Sequence, residues 1–443
     1  MFFLEWMEVN GKGNLEVEGY DLVELAREYG TPLYVYNEEQ MRRKCRNYVD
    51  SLRANYPDGE IIYAGKAFLV KAMCRLLAEE GLSLDVVSGG EIYTALQAGY
   101  PMERVYFHGN NKTPQELEMA LDMGVGRIVV DSIMELDLLN GIPAKKEKNA
   151  DILFRVKPGV SAHTHSYIQT GQMDSKFGLG IEDGQAMEAV QKALDSSYIN
   201  LHGIHCHIGS QIFDVQEPYR LVAQKMVGFL NEVRENAEVT LQELNVGGGL
   251  GIRHTSQDSP VAIEDFVQIV SEAVRQECEK NNFPLPKLMM EPGRSICGEP
   301  GITLYTVGNI KDIPGIRTYV SVDGGMMDNL RPALYNASYE AVLANKATES
   351  PEATVTVAGK VCESGDVLIK DLEIPSPERG DIMAVLTTGA YHFSMYSDYN
   401  RNPRPPVVFL RNGQAKEVVR RETFEDIVGM DIIPSEFEEG GNE

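Results

Sequence analysis

Short β-rich runs alternate with helical segments from about residue 60 to residue 291 of this 443-residue chain. The eight runs are IIYAG (61–65), LDVV (84–87), RVYF (104–107), RIVVD (127–131), ILFRV (152–156), GIHCHI (203–208), ELNV (243–246) and LMME (288–291). Helical segments such as PQELEMALDMG (114–124) lie between them. Eight βα units over roughly 240 residues predict a (β/α)8 TIM barrel in the α/β class, with a doubly wound sheet as the alternative.

The pattern changes after residue 300, where short strands alternate with turn residues, as in ATVTVAGKV and DVLIKDLEI. This pattern predicts a second, all-β domain, built as a β-sandwich or a β-barrel. The first 35 residues contain the β-rich stretches NLEVEG and PLYVY, and we expect them to join that domain. The predicted division is therefore a barrel over 36–300 and a β domain formed by 1–35 and 301–443.

Charge and cysteine content exclude several classes of protein. A formal net charge of -25 argues against nucleic acids and anionic membranes as partners, because both carry negative charge themselves. No run of about 18 apolar residues is present, so we expect no transmembrane span, and the start MFFLEWMEV lacks the features of a signal peptide. The six cysteines are scattered without a CxxC pair, which is typical of reduced thiols and predicts a cytoplasmic protein.

Residues 203–210, GIHCHIGS, raise the question of a metal site. Side chains alternate along a strand, so His205 and His207 share one face. A second pair with the same spacing, His163 and His165, also suggests a metal site. A metal-dependent barrel hydrolase is therefore one alternative. We expect no companion ligands to converge on His205 and His207, and we predict no metal. His205 would be a hydrogen-bonded interior residue, and we assign no role to His163 and His165.

Polar residues and glycines follow the predicted strands at the end where barrel enzymes build their sites. They are Lys66, Ser88, Glu91, His108, His207, Ser210, Gly247, Gly248, Gly249 and the segment Glu291, Pro292, Gly293 and Arg294. The glycine run can bring backbone N–H groups close to a phosphate, although such a run in isolation is more often a tight turn. Its place after the seventh strand favours a phosphate site, to which Arg294 would add positive charge.

Lys66 follows the first predicted strand, in YAGKAF. A lysine at a barrel rim is ordinarily a surface residue, but one that is partly desolvated there can form a Schiff base with a carbonyl compound. Glu291 is an acid that can face a pyridinium nitrogen. A phosphate cradle, a Schiff-base lysine and such an acid are what pyridoxal 5'-phosphate requires of a protein, so we predict this cofactor.

The chain resembles a known family, the barrel-type (fold type III) pyridoxal-phosphate decarboxylases, and in particular those that act on diaminopimelate. The resemblance covers nearly the whole chain. Its motifs occur in the order YGTPLYVY, YAGKAF, DVVSGGE, SKFGLG, HCHIGSQ, NVGGGLG, EPGR, VDGGMMDNLRPALY, CESGD and GAYHFSMYSDYN. One position departs from the superfamily pattern, because Phe68 stands where the lysine motif often has asparagine.

The resemblance implies a role for each matching residue. Lys66 would carry the cofactor, and His207 would stack on its ring. The remaining cofactor-binding residues would be Ser210, Gly248, Gly249, Glu291, Pro292, Gly293, Arg294 and Tyr391. Cys362 would be the proton donor, and Cys362 and Glu363 would come from a partner subunit. The family therefore implies a homodimer with shared active sites, whose β domain supplies substrate and dimer contacts.

The resemblance also implies the substrate. Guanidinium groups bind carboxylates as bidentate forks, and in the family Arg294, Arg331 and Tyr335 hold a distal carboxylate while Glu363 holds the distal ammonium group. Tyr391 also contacts the substrate. The implied reaction is decarboxylation of meso-2,6-diaminopimelate to L-lysine. Decarboxylation of ornithine, arginine or carboxynorspermidine and a catalytically silent homologue remain alternatives.

Overall fold

The N-terminal residues form a small antiparallel sheet in the computed structural model, which describes residues 4–146, 148–160 and 174–437. The elements of this region are β1 (Met7–Val9), β2 (Leu15–Val17), β3 (Tyr20–Asp21), α1 (Leu22–Tyr29) and β4 (Leu33–Asn37). Asp21 caps α1, because its Oδ1 accepts hydrogen bonds from the backbone N–H groups of Val23 at 2.8 Å and Glu24 at 3.2 Å. Strand β4 is not part of the small sheet and pairs with strands from the C-terminal part of the chain.

Eight parallel strands form a closed barrel, as predicted. They are β5 (Gly59–Ala64), β6 (Ser83–Val86), β7 (Val105–Phe107), β8 (Arg127–Val130), β9 (Ala150–Lys157), β11 (Ile199–His205), β12 (Glu243–Asn245) and β13 (Lys287–Met290), with the two-residue β10 (Leu179–Gly180) beside β9. Each barrel strand pairs with the next, and β13 pairs with β5. This closure excludes the doubly wound sheet.

Helices cover the outer face of the barrel. They are α2 (Glu38–Asn55), α3 (Lys71–Glu79), α4 (Gly89–Gln97), α5 (Pro114–Met123), α6 (Ile133–Lys146), α7 (Gln185–Leu194), α8 (Gln216–Ala237), α9 (Ile263–Lys280) and the four-residue α10 (Arg294–Cys297). Their buried faces have apolar residues at helical spacing, such as Val222, Met226 and Leu230 of α8. None of the described helices is both long and apolar enough to cross a membrane.

Side chains of the barrel strands point alternately to the helices and to the barrel interior. A separate buried cluster fills the interior and consists of Ile62, Tyr106, Val129, Leu153 and Met289. Their sequence neighbours, such as Ile61 and Tyr63, pack into the large core beneath the helices. Residues two or four positions beyond an interior residue therefore lie at the mouth of the barrel.

A β-rich region follows the barrel, as predicted. Its elements are β14 (Gly301–Ile313), β15 (Arg317–Val322), α11 (Arg331–Tyr335), β16 (Ala341–Leu343), β17 (Ala353–Ala358), β18 (Val367–Ile374), β19 (Ile382–Val385), β20 (Val407–Arg411), β21 (Gln414–Val419) and α12 (Phe424–Val428). The sheet runs in the order β18-β17-β15-β14-β4-β20-β21, and β19 pairs with both β14 and β16. The N-terminal strand β4 thus lies in the middle of this sheet.

A cluster of aromatic rings joins the β-rich region to the barrel. Phe68 stacks on Tyr36 of β4, with ring centroids 4.3 Å apart and an interplanar angle of 21°. It meets Phe393 edge-on at 5.6 Å and Phe409 of β20 at 6.3 Å. Phe68 is fully buried, so the departure from the superfamily motif serves packing between the two parts of the chain.

Replacing Phe68 with Ala should lower the free energy of unfolding by about 3–5 kcal/mol, because the change leaves a cavity among buried rings. Phe424→Ala is the matched control, since Phe424 is 75% exposed and its loss should cost less than about 0.5 kcal/mol. Urea unfolding followed by circular dichroism measures both variants. Equal unfolding midpoints would contradict this role for Phe68.

Candidate active site

A cavity of about 420 Å3 opens where the barrel strands end, a volume typical of small-molecule sites. It brings together many of the residues singled out in the sequence. Those with a predicted cofactor or substrate role that line it are Lys66, His207, Ser210, Glu291, Arg294, Arg331, Tyr335 and Tyr391. The barrel residues among them lie just past the carboxyl ends of their strands, where barrel enzymes carry their sites.

A smaller recess shares part of this wall and adds Gly249 and Gly293. Arg294 reaches across it, because its Nε and Nη2 donate hydrogen bonds to the hydroxyl oxygen of Ser210 at 3.2 and 3.1 Å. The predicted phosphate-binding residues from three successive strand ends therefore meet in one place.

The glycine run touches neighbouring backbone so closely that side chains do not fit. A Cβ on Gly248 would lie 1.9 Å from the carbonyl oxygen of Glu291, and one on Gly249 would lie 2.6 Å from that of Gly209. Gly249 also has a φ of +131°, which residues with a side chain rarely adopt. The run therefore leaves its backbone, rather than side chains, facing the recess.

Lys66 lies directly after β5, and its side chain is exposed to the cavity. The backbone around it is held on both sides. The N–H of Ala64 donates to the carbonyl oxygen of Pro292 at 3.0 Å, and the N–H of Tyr391 donates to that of Ala67 at 2.9 Å. Tyr391 has a φ of +63°, a strained conformation that is concentrated at functional sites. The lysine and Tyr391 are thus fixed relative to each other.

The carboxylate of Glu291 is buried and surrounded by three polar side chains. Nε2 of His205 hydrogen-bonds with Oε2 at 3.1 Å, which confirms the interior role predicted for this histidine. Nε2 of His108 lies 3.0 Å from Oε1, and the amide nitrogen of Asn245 donates to the same oxygen at 2.7 Å. These contacts from three other strands fix the orientation of Glu291.

Burial and neighbouring charges set the protonation of this cluster. Burial alone would raise the pKa of Glu291, but His108 and His205 hold it well below its usual range. Burial lowers the pKa of His205 to about 4 and that of His207 well below its usual value. For His108, Asp85 and Glu291 outweigh burial and raise the pKa. Glu291 is therefore an anion, whereas His205 and His207 are neutral.

The expectation that no companion ligands converge on the histidine face is wrong for His205. His108, His205 and Glu291 each place a ligand atom within 4.8 Å of the others, an arrangement that can bind a divalent cation. The pair His163 and His165 lies outside the described residues. The alternation of residues along β7, β11 and β13 could have revealed the cluster, but the sequence alone did not show which strand ends face one another.

Two guanidinium groups face the cavity with no carboxylate partner in the described part of the chain. Arg294 and Arg331 are buried, and their guanidinium carbons lie 4.7 and 5.5 Å from the centre of the Tyr391 ring. Nη1 of Arg294 has no hydrogen-bond partner among the described residues. Burial and the charge of Arg331 lower the pKa of Arg294 to about 10. Two adjacent buried cations call for an anionic ligand.

Aromatic residues hold Arg331 in place. Its guanidinium carbon lies 4.9 Å from the centre of the Tyr335 ring, and its Nε donates to the hydroxyl of Tyr339 at 3.1 Å. Tyr339 is buried and meets the rings of His254 and His392 edge-on at 5.1 and 5.2 Å. Sequence reasoning missed Tyr339, because nothing in the motif NLRPALY indicates that a tyrosine after it turns back onto Arg331.

Cys362 and Glu363 do not line the cavity, and both are exposed. Their loop is nevertheless fixed. The side-chain oxygen of Asn400 accepts a hydrogen bond from the N–H of Cys362 at 2.9 Å, and the Asp366 carboxylate accepts one from the N–H of Val361 at 3.0 Å. The thiol therefore stands outside the cavity formed by its own chain.

Part of the cavity wall was not predicted from the sequence. Asp85, Asn110, Arg155 and Phe177 line it together with His108, for which sequence reasoning gave no role. The period of two along strands could have identified Arg155, which lies two residues beyond the interior residue of β9. No such signal exists for Asn110 and Phe177, which belong to loops.

Comparison with known proteins agrees with this geometry. Residues 38–298 match the pyridoxal binding domain of the pyridoxal-dependent decarboxylases. The diaminopimelate decarboxylase of Bacillus subtilis (strain 168) is 49% identical over 432 residues, 98% of each chain. The crystal structure of diaminopimelate decarboxylase from M. jannaschii in complex with L-lysine has a TM-score of 0.91 and 36% identity, and the match covers 98% of this chain and 99% of that one. The crystal structure of diaminopimelate decarboxylase from Helicobacter pylori, also in complex with L-lysine, has a TM-score of 0.85 and 32% identity, and the match covers 93% of this chain and 99% of that one. The chain belongs to the pyridoxal-dependent decarboxylase family.

Proposed function

We propose that the protein is a pyridoxal-phosphate-dependent carboxy-lyase that converts meso-2,6-diaminopimelate to L-lysine and CO2, the last step of lysine biosynthesis. The observation that carries the proposal is the pair Arg294 and Arg331, two buried cations that share the cavity with Lys66 and have no carboxylate partner in the described chain. Such a cavity fits a ligand with more than one anionic group. The relatives that bear this activity by name are similar over almost the whole chain.

The residues present fit the cofactor. Lys66 offers an amine for its aldehyde. Nη1 of Arg294 is buried and has no hydrogen-bond partner among the described residues, so it offers a donor for the phosphate. Ser210, Gly248, Gly249, Pro292 and Gly293 would complete the phosphate site beside Arg294. His207, neutral and half-buried, would lie against the ring, and Tyr391 would stand on the phosphate side.

Glu291 would face the ring nitrogen and hold a proton there, because its own carboxylate stays ionised. When bound, pyridoxal phosphate accepts the electron pair that remains on the substrate α-carbon as CO2 leaves. The chain itself supplies the positions of the reacting groups. Fixing the α-carbon beside Lys66 replaces a bimolecular encounter with an oriented one, which lowers the activation barrier.

The distal end of the substrate would provide that orientation. Arg331, held by Tyr335 and Tyr339, is placed to bind a distal carboxylate. Arg294 and Tyr391 would also contact the substrate. A substrate without the carboxylate, such as ornithine, would leave a buried cation unpaired, so the site discriminates as well as binds. The relatives from M. jannaschii and Helicobacter pylori are complexes with L-lysine, which fits the proposed product.

A second copy of the chain would complete the site. Cys362 would deliver the proton that replaces CO2, and Glu363 would bind the distal ammonium group. Both stand outside the cavity of their own chain, which supports a homodimer with shared sites. In this arrangement residues 36–300 act as the cofactor-binding barrel, and residues 1–35 with 301–443 supply the substrate and dimer contacts.

The cellular setting belongs to the same proposal. Five of the six free cysteines are buried, and this use of reduced thiols fits the cytoplasm. The net charge of -25 disfavours nucleic acid and anionic membrane partners, so the expected partners are the amino-acid substrate and a second copy of the chain.

The substrate assignment predicts selective CO2 release. Wild-type protein should release CO2 from meso-diaminopimelate and much less from ornithine or arginine. Arg331→Gln should raise KM for meso-diaminopimelate about 10- to 100-fold, the loss expected for a hydrogen bond to a charged group. Arg317→Gln, an exposed arginine on β15, is the matched control and should leave KM unchanged.

Equal CO2 release from ornithine, or an unchanged KM in the Arg331 variant, would contradict the assigned substrate. Stoichiometric metal in a purified protein that binds no pyridoxal phosphate would contradict the cofactor.

Shared sites predict complementation between two inactive variants. Lys66→Ala and Cys362→Ala should each have little activity, but a mixed dimer contains one site with both residues intact. Random mixing should therefore restore about one quarter of wild-type activity, because half of the dimers are mixed and one of their two sites works. Sedimentation verifies that each variant is dimeric. No recovery after proven subunit exchange would rule out sharing.

A further inference from the structure

The loop that carries Cys362 and Glu363 closes on one buried residue, Asp366. This loop connects β17 to β18 and consists of residues 359–366. Asp366 is only 4% exposed, whereas Cys362 and Glu363 are both exposed. The N–H of Asp366 donates to the carbonyl oxygen of Glu363 at 3.1 Å, and the N–H of Gly359 donates to that of Asp366 at 3.0 Å. The loop is therefore a closed turn with its polar tip in solvent.

Each oxygen of the Asp366 carboxylate accepts a hydrogen bond from a different part of the backbone. Oδ2 accepts from the N–H of Val361, directly before Cys362, at 3.0 Å. Oδ1 accepts from the N–H of Met326 at 2.7 Å. Met326 belongs to the segment 323–330, which connects β15 to α11. The carboxylate therefore attaches the loop to this segment.

Glycines on both sides leave space for the Asp366 carboxylate. A Cβ on Gly359, in the loop, would lie 2.2 Å from its Oδ2. A Cβ on Gly325, in the segment 323–330, would lie 2.7 Å from the same oxygen. Both distances are too short for non-bonded atoms, so neither position has room for a side chain. The backbone on each side thus encloses a carboxylate at this point.

The segment 323–330 is also held by contacts that do not involve Asp366. Oδ2 of Asp328 accepts a hydrogen bond from the N–H of Gly325 at 3.2 Å, and its Oδ1 accepts one from the hydroxyl of Tyr305. The carbonyl oxygen of Asp328 accepts from the hydroxyl of Tyr34 of β4 at 2.7 Å. Asp328 and both tyrosines are buried. The segment is therefore a fixed base to which the loop is attached.

We propose that Asp366 is a positioning residue that presents Cys362 and Glu363 to the cavity of the partner subunit. It does so by attaching the backbone directly before Cys362 to the segment 323–330. The inference rests on the proposed function, because that function assigns Cys362 and Glu363 to the partner's site. It goes beyond that function by adding a residue that does not line the cavity of its own chain and acts in the cavity of another.

Asp366→Asn keeps the size of the side chain but replaces one acceptor oxygen with an NH2 group, which cannot accept a backbone hydrogen bond. The loop should lose one attachment, and turnover should fall about 10- to 100-fold, because a small displacement of a reacting group is costly. Affinity for pyridoxal phosphate should not change, since the residues proposed to bind it lie elsewhere. Asp371→Asn, exposed on β18, is the matched control and should keep wild-type activity.

Hydrogen exchange followed by mass spectrometry tests the attachment without reference to activity. In the full-length dimer, peptides that cover residues 359–366 should exchange about tenfold faster in Asp366→Asn than in wild type, because a backbone hydrogen bond is lost. Asp371→Asn should exchange like wild type over the same peptides. Unchanged exchange in Asp366→Asn would show that the carboxylate does not hold the loop and would overturn the inference.

Mixed dimers test in which chain Asp366 acts. In a dimer of Asp366→Asn with Lys66→Ala, one site combines the intact Lys66 of the first chain with the intact loop of the second. Random mixing should therefore restore about one quarter of wild-type activity. A mixture of Asp366→Asn with Cys362→Ala contains no site with an intact loop and should gain no activity. Recovery with Cys362→Ala, or none with Lys66→Ala after proven subunit exchange, would contradict the proposed role.

The same mixtures separate the inference from the function on which it rests. If Lys66→Ala and Cys362→Ala restore each other but Asp366→Asn does not follow the expected pattern, the role of Asp366 alone is overturned. If they do not restore each other, the shared sites of the proposed function are overturned. If Asp366→Asn does not fold, Gly359→Ala replaces it in both mixtures with the same expected results, since its Cβ would collide with the same carboxylate oxygen.

Discussion

Side chains alternate every two residues along the barrel strands, and this constraint places the part of the site that the barrel supplies. Interior residues and residues at the mouth therefore occur as pairs on the same face of a strand. Such pairs are Tyr106 with His108, Leu153 with Arg155, and Met289 with Glu291. The apolar member closes the barrel, and the polar member reaches the cavity. Packing of the barrel interior and placement of the polar barrel residues of the site thus follow from one geometric rule.

The charges of the polar residues around the cavity are balanced in two different ways. At one end the chain itself compensates the buried anion of Glu291 with His108, His205 and Asn245. At the other end Arg294 and Arg331 have no carboxylate partner among the residues described, so a ligand must bring the anions. The contacts around Glu291 are present without any ligand, so they fix this part of the site in advance. The pair Arg294 and Arg331 makes binding selective for molecules that carry phosphate and carboxylate groups.

The barrel strands were predictable because each is a short apolar run between helical segments. Lys66 and Arg294 were predictable as site residues, since Lys66 directly follows such a run and Arg294 lies three residues beyond one. The contact between His108 and Glu291 was not, because it joins two strands that are distant in the chain and face each other only after the barrel closes. The exposed position of Cys362 also depends on tertiary structure, since its motif does not show which cavity it faces.

Reduction of the purified enzyme with borohydride, followed by peptide mass spectrometry, tests the central claim most directly. Borohydride fixes pyridoxal phosphate to the lysine that carries it. The account predicts about one pyridoxyl group per chain, on the peptide that contains Lys66. A label on another lysine such as Lys112 with Lys66 unmodified, or no label at all, would contradict the account.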